Sequence, residues 1–315
     1  MTVVLPGLDD ALAEVESTHD FTVLAARDLG SRAWGLDDDG SDYDVAFLFR
    51  QPAAEYATLR GYVETVETSY PPALELTGWN LTRFAELLVE SNPTALEFLH
   101  TPVRYREFEP LAALETDVAD EFERMRLYHH YRSLAERQFR KYLQRRLLAD
   151  GEPAYVVVDE TADEWLCRPT DEPVSPSRTA ESLVRVSKGD DRFAAGACDQ
   201  TVKRTLYVVR AVLIARYVRD THRFPTLDFP SFLDELDAVE LVDASIIRRT
   251  RDLVARKRAG EGDEVVGQVF TEAELTLPKT IPPAEHAVGG IPVARVDSFV
   301  RDALEKSSMG RGSSA

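Results

Sequence analysis

Asp42 and Asp44 flank a single residue in the run Ser41-Asp42-Tyr43-Asp44-Val45-Ala46-Phe47-Leu48-Phe49. On a β-strand, side chains at i and i+2 leave the same face, roughly 6.5–7 Å apart, so both carboxylates can converge on one metal ion or a metal pair. Tyr43, Val45 and Phe47 then point the other way, and two charges on an otherwise apolar strand need a positive compensator. Mg²⁺ suits that role, because it takes one or two carboxylates together with phosphate oxygens and water. Upstream lies Gly30-Ser31. Glycine lets the backbone approach a phosphate closely, and Ser31 offers a hydroxyl donor. A D-x-D alone also describes a solvated strand edge, and a Gly-Ser alone an ordinary helix cap. The two in succession specify a place for phosphate and metal.

The elements that must position these residues follow from hydrophobic patterning. Leu8, Leu12 and Val15 have helical spacing over residues 8–19, and Phe21 to Ala26 reads as a strand ending near Gly30. The acidic loop at 37–40 leads into the carboxylate strand. A helix is expected from Glu55 to Tyr70, a short strand at 73–77, an amphipathic helix at 81–89 and a short helix from Thr94 to Leu99 before Pro102. From about 119 to 149 the pattern predicts continuous helix, with Tyr128, Tyr131, Ala135, Phe139 and Tyr142 along one stripe. Residues 151–200, rich in Asp, Glu, Pro and Ser, read as an irregular exposed insertion with one strand at 155–158. Helix resumes at 201–219, about 230–258 and 296–306, ahead of a Ser/Gly tail read as disordered over 308–315. The fold class expected is α+β: a catalytic domain over 1–115, then a helical substrate-binding domain over 116–307.

The 315 residues carry 44% apolar side chains, enough for real cores, and 55 acidic against 37 basic residues, net -18. That balance ordinarily argues against a nucleic-acid partner. Arg far outnumbers Lys and Asp is abundant, however. This composition is typical of proteins that stay hydrated in very high salt, where long-range charge is screened within a few ångströms. The acidity then describes the solvent rather than the substrate. Cys167 and Cys198 fit neither a zinc site nor a disulfide framework. With no apolar run near the roughly 18 residues of a membrane span and no signal-peptide design, a cytoplasmic protein without membrane partner is expected. No G-x-x-x-x-G-K-[ST], H-E-x-x-H or G-x-S-x-G string occurs, which sets aside P-loop NTPases, zinc peptidases and α/β-hydrolases.

Gly30-Ser31 followed by Ser41-Asp42-Tyr43-Asp44-Val45 resembles the G-S…D-x-D signature of the DNA polymerase β-like nucleotidyltransferase superfamily. The string Gly-Ser-Arg-Ala-Trp-Gly with Ser-Asp-Tyr-Asp-Val is similar to its predicted nucleotidyltransferase branch associated with RNA repair. Gly78-Trp79-Asn80-Leu81, Ser91-Asn92-Pro93-Thr94, Leu96 to Leu99 and Lys203 to Arg210 extend the resemblance over most of the chain, apart from 151–200 and the tail. It implies a small mixed sheet with helices in the N-terminal domain. It also implies two Mg²⁺ (or Mn²⁺) ions and transfer of a nucleotidyl group from an NTP substrate to an acceptor, with pyrophosphate leaving. A third carboxylate on a neighbouring strand is implied too, and Glu75, between Leu74 and Leu76, is the best position for it. The sequence departs from the family pattern here, with Glu where Asp is usual and Asn80 in an expected acidic slot.

Lys203, Tyr207, Arg210 and Ile214 fall on one helical stripe. The resemblance assigns Lys203 and Arg210 to the triphosphate, while packing with cations reaching to the surface explains the same stripe. Arg137, Arg140, Lys141, Arg145 and Arg146 cluster on a helix face opposite the Tyr stripe, suited either to RNA phosphates or to solvent and nearby acids such as Glu136. Transfer to RNA is the first expectation. Nucleotidylation of a protein and a non-catalytic nucleotide- or partner-binding module are the alternatives.

Overall fold

Apolar runs buried on both faces make the central strands of a first sheet, and polar, edge-type strands flank them. The computed structural model describes residues 3–59, 61–119, 121–170, 183–196, 200–279 and 289–305. Along the chain come α1 (Leu8–His19), β1 (Thr22–Asp28), β2 (Tyr43–Arg50), β3 (Thr65–Tyr70), β4 (Leu74–Asn80), α2 (Leu81–Val89), α3 (Pro93–His100), β5 (Arg104–Arg106) and α4 (Glu109–Asp117). Then follow α5 (Arg124–Gln138), β6 (Arg146–Ala149), β7 (Glu152–Glu160), β8 (Glu164–Pro169), β9 (Val184–Ser187) and β10 (Phe193–Ala195). The last described elements are α6 (Val202–Thr221), α7 (Phe229–Ala238), α8 (Ala244–Arg258), α9 (Glu272–Leu275) and α10 (Val293–Glu305). The class is α+β, as expected.

Compactness divides the chain at places other than a single boundary near 115. One unit comprises Met1–His130, Arg216–Val242 and Thr280–Ala315, and the other Tyr131–Ala215 and Asp243–Lys279. In the first, the sheet order is β3-β4-β2-β1-β5, with β2 and β4 parallel and the remaining pairs antiparallel. One face packs Val45, Phe47 and Leu76 on Leu8, Leu12 and Val15 of α1. Arg27 is fully buried in this unit. Its guanidinium donates to the Phe98 and Leu99 carbonyls at 3.0 and 2.6 Å, satisfying oxygens that the end of α3 leaves open. It also meets Glu107 at 3.2 Å and Glu115 at 3.5 Å.

The second unit holds an antiparallel sheet, β10-β6-β7-β8-β9. Leu147, Cys167 and Val186 are its buried centre, with Tyr155, Val157, Trp165 and Phe193 packed against them.

Several expected elements are corrected. Glu55–Tyr70 is not a helix. A single 3-10 turn at Glu55–Ala57 precedes β3, whose Thr-Val-Glu-Thr-Ser-Tyr run suits a pleated edge better than a helix. The helix expected to reach 149 ends at Gln138, passes through a π turn at Phe139–Leu143 and gives way to β6. Residues 151–200 are not an irregular insertion, because four strands of the second sheet lie there. The helix expected over about 230–258 is two, α7 and α8, the latter capped by the Asp243 side chain on the Ser245 N–H. The basic cluster is not one helix face, since Arg146 belongs to β6 and Arg145 precedes it. Residues 171–182, Cys198 and the 308–315 tail lie outside the described residues.

Candidate active site

Asp44 stands on the strand face opposite α1. Its neighbours Tyr43 and Val45 join the α1-facing core, and strand alternation turns Asp44 the other way. β4 repeats the pattern, with Leu74 and Leu76 in that core and Glu75 between them. The parallel register pairs Asp44 directly with Glu75, so the two carboxylates are neighbours on one face, and both are exposed. Asp42 sits one residue before β2 and is also exposed.

Antiparallel pairing carries the end of β1 to the start of β2, and the Leu29 N–H donates to the Asp44 carbonyl at 2.8 Å. Gly30 therefore lies against the Asp44 side chain. A Cβ on Gly30 would come within 1.9 Å of Asp44 Oδ2, a separation no side chain tolerates. After Gly30 the chain makes a helix-like turn, with the Trp34 N–H donating to the Gly30 carbonyl at 3.3 Å and the Leu36 N–H to the Ser31 carbonyl at 2.8 Å. Among the described residues, nothing accepts from the Ser31 and Arg32 N–H groups. A bend with open amide donors beside a carboxylate suits a phosphate bridged to a cation.

Asp28, not among the residues expected from the sequence, is the side chain that fixes this bend. Asp28 is fully buried. Its Oδ1 accepts the Gly30 N–H at 2.9 Å and the Ala33 N–H at 3.2 Å, and its Oδ2 accepts the Tyr105 hydroxyl at 2.9 Å. Burial pushes its carboxyl above the ordinary aspartate range, the three hydrogen bonds oppose that shift, and the Asp44 charge adds to it. The same surroundings raise the Tyr105 hydroxyl, through burial first and Asp28 second. A signal was present in the chain, since an Asp two residues before a Gly forms an Asx turn on the i+2 N–H.

The loop between bend and strand is tied down from both sides. Arg32 donates to Asp37 at 3.1 Å and to the Ser41 carbonyl at 2.8 Å, and its guanidinium lies 3.8 Å from the Tyr43 ring centroid. Asp38 Oδ1 accepts from the Gly40 N–H and the Ser41 hydroxyl at 3.0 and 2.9 Å. Gly35, at φ +63°, has Asp228 Oδ1 within 2.3 Å of where its Cβ would be, and the Phe229 N–H donates to the Trp34 carbonyl at 2.8 Å. The start of α7 thus buttresses the turn.

Asn80 is no acidic ligand. Its side-chain oxygen caps α2 on the Thr82 N–H at 3.0 Å and accepts the Tyr56 hydroxyl. Lys203 and Arg210 lie on α6 in the second unit. Lys203 is exposed, with its Nζ 5.9 Å from the Tyr207 ring centroid, and Arg210 is buried. Among the described residues, no three His, Cys, Asp or Glu side chains gather as a ready metal cage. Mg²⁺ ordinarily takes one or two carboxylates plus phosphate oxygens, and Asp44 with its in-register neighbour offers that smaller donor set. No helix among the described residues is long and apolar enough to cross a membrane.

Comparison with known proteins adds a family. The model of the RNA repair pathway DNA polymerase beta family matches residues 6–302. The uncharacterized protein YcgL of Bacillus subtilis (strain 168) is 29% identical over 275 residues, covering 84% of this chain and 83% of that protein. A solved nucleotidyltransferase-like protein of Exiguobacterium sibiricum 255-15 aligns over 97% of this chain and 77% of its own, at 9% identity and a TM-score of 0.24, a likeness too slight to carry an argument.

Proposed function

Because the chain belongs to the RNA repair pathway DNA polymerase beta family and is a nucleotidyltransferase, we propose that it transfers a nucleotidyl group from an NTP to a hydroxyl of RNA. The carrying observation is the contact of Gly30 with the Asp44 carboxylate, with Glu75 in register beside it. The Ser31 and Arg32 N–H groups and the Ser31 hydroxyl bind the phosphates. Asp42, Asp44 and Glu75 would hold Mg²⁺ or Mn²⁺, two ions as in the wider superfamily, together with phosphate oxygens. Bound there, the metal supplies charge neutralisation at the attacked phosphate and the departing pyrophosphate. Glu75 takes the proton of the acceptor hydroxyl as its oxygen bonds to the α-phosphorus, and the bond from that phosphorus to pyrophosphate breaks.

Lys203 and Arg210 are assigned to the triphosphate on the family resemblance. Replacing each by Gln is expected to raise KM for the NTP, and an unchanged KM withdraws the assignment. The cytoplasm is the proposed compartment, supported by the free, buried Cys167 thiol.

The test is incubation with each α-labelled NTP, Mg²⁺ or Mn²⁺ and total RNA in high salt. Label in RNA is expected. Label in protein instead would transfer the proposal to a protein acceptor, and label in neither would overturn it.

A further inference from the structure

We infer that the second unit carries a binding site for a single nucleotide of an RNA strand, in a cavity against β6, β7 and β8. Its volume is about 340 Å³, at the small end of the roughly 300–1,000 Å³ of ligand sites, which suits one nucleotide rather than a folded helix. Leu147 and Val157 supply an apolar wall, and the half-buried Trp165 offers an indole on which a base can stack. Gln268, exposed in the lining, provides an amide for a base edge.

Charge selects an anion. Among the described residues, Glu160 is the one carboxylate lining the cavity. It accepts both arms of Arg145 at 3.0 Å and Lys188 at 3.0 Å, which hold it ionised, down to about 2. Within the lining Arg145 offsets Glu160, and Lys188 approaches the same carboxylate from outside it. Arg146 supplies the net positive charge, because among the described residues its guanidinium bonds only neutral oxygens, Gln144 Oε1 at 3.0 and 3.3 Å and the Arg140 carbonyl at 3.2 Å. A positive recess is conspicuous in a chain of net charge -18. Its charge matches the single phosphate of a strand nucleotide better than the three of a free NTP.

The site rests on RNA being the acceptor, but binding there needs neither metal nor NTP, so it is tested apart from transfer. Binding of a short 5′-fluorescein single-stranded RNA to the full chain is followed by anisotropy without metal or NTP. Trp165→Ala is expected to weaken binding at least about fivefold. Arg146→Gln is expected to lower the slope of log affinity against log salt by about 0.7, one phosphate contact. Neither variant should alter KM for the NTP where transfer is measurable. Circular dichroism checks folding, and if Trp165→Ala unfolds, Trp165→Phe, which keeps a stacking ring, should bind nearly as the parent while Arg146→Gln decides. Parental affinity and salt slope in a folded Arg146→Gln chain would overturn the site even if labelled RNA is formed. An equal loss of NTP and RNA binding would overturn it as an RNA site.

Discussion

Asp28 commits one carboxylate oxygen to the bend that faces Asp44 and the other to the Tyr105 hydroxyl, so the shape of the proposed phosphate cradle depends on a residue that need not touch the phosphate. Asp28→Asn keeps an oxygen for the Gly30 and Ala33 N–H groups and removes the buried charge. Since the folded carboxyl titrates above its unfolded value, the wild type binds more protons folded than unfolded as pH passes between the two. Its stability is therefore greatest below the unfolded pKa and declines as pH rises through the folded one. Thermal melting of both proteins across that interval should show the variant gaining on the wild type as pH rises. A difference independent of pH would contradict the assignment. Gly30→Ala should drive a methyl into the Asp44 carboxylate and lower transfer by about a hundredfold through misplacement alone, with secondary structure unchanged by circular dichroism. Asp42, Asp44 and the Gly-Ser pair stand out in the sequence as candidates because their types and order point together to metal and phosphate. Asp28 was not read, because a single acid at the end of an apolar strand looks like any strand terminus until its partners are seen.

Elements were legible in proportion to how much apolar surface they bury. α2, with Leu81, Phe84 and Leu88 buried along one face, matched its expected limits of 81–89. β3 did not, since only Val66 among its residues is buried and an edge strand carries no full alternation to read. The second sheet was hidden for a related reason. Its buried centre is Leu147, Cys167 and Val186, and polar residues around these few positions imitate an exposed loop. Arg27 shows how one polar side chain can join elements that apolar packing alone leaves apart. Arg27→Ala should strand two carbonyls, leave Glu107 and Glu115 with Arg104 as their remaining cation, and cost about 3 kcal/mol, read as a lower urea midpoint, whereas Arg27→Met should recover part of the loss. Equal midpoints for wild type and Arg27→Ala would show that the buried guanidinium holds nothing together.

Across the whole molecule the net charge of -18 sets the conditions under which the finer interactions operate. Repulsion among excess carboxylates opposes the compact state, and salt screens it. The melting temperature should therefore rise between about 0.1 M and about 1 M KCl, and a fall would contradict the high-salt reading of the composition. At this scale the sequence indicated the α+β class but not the interleaving of two units along the chain. Periodicity reports what each segment buries, and carries no record of which distant segment it is buried against. The proposed transfer depends on the carboxylates beside the Gly30 bend, and the most direct test is transfer of α-labelled nucleotide by Asp44→Asn, measured with Mg²⁺ beside the wild type at matched circular dichroism. A loss of at least about a hundredfold is predicted; turnover near that of the wild type would contradict the account.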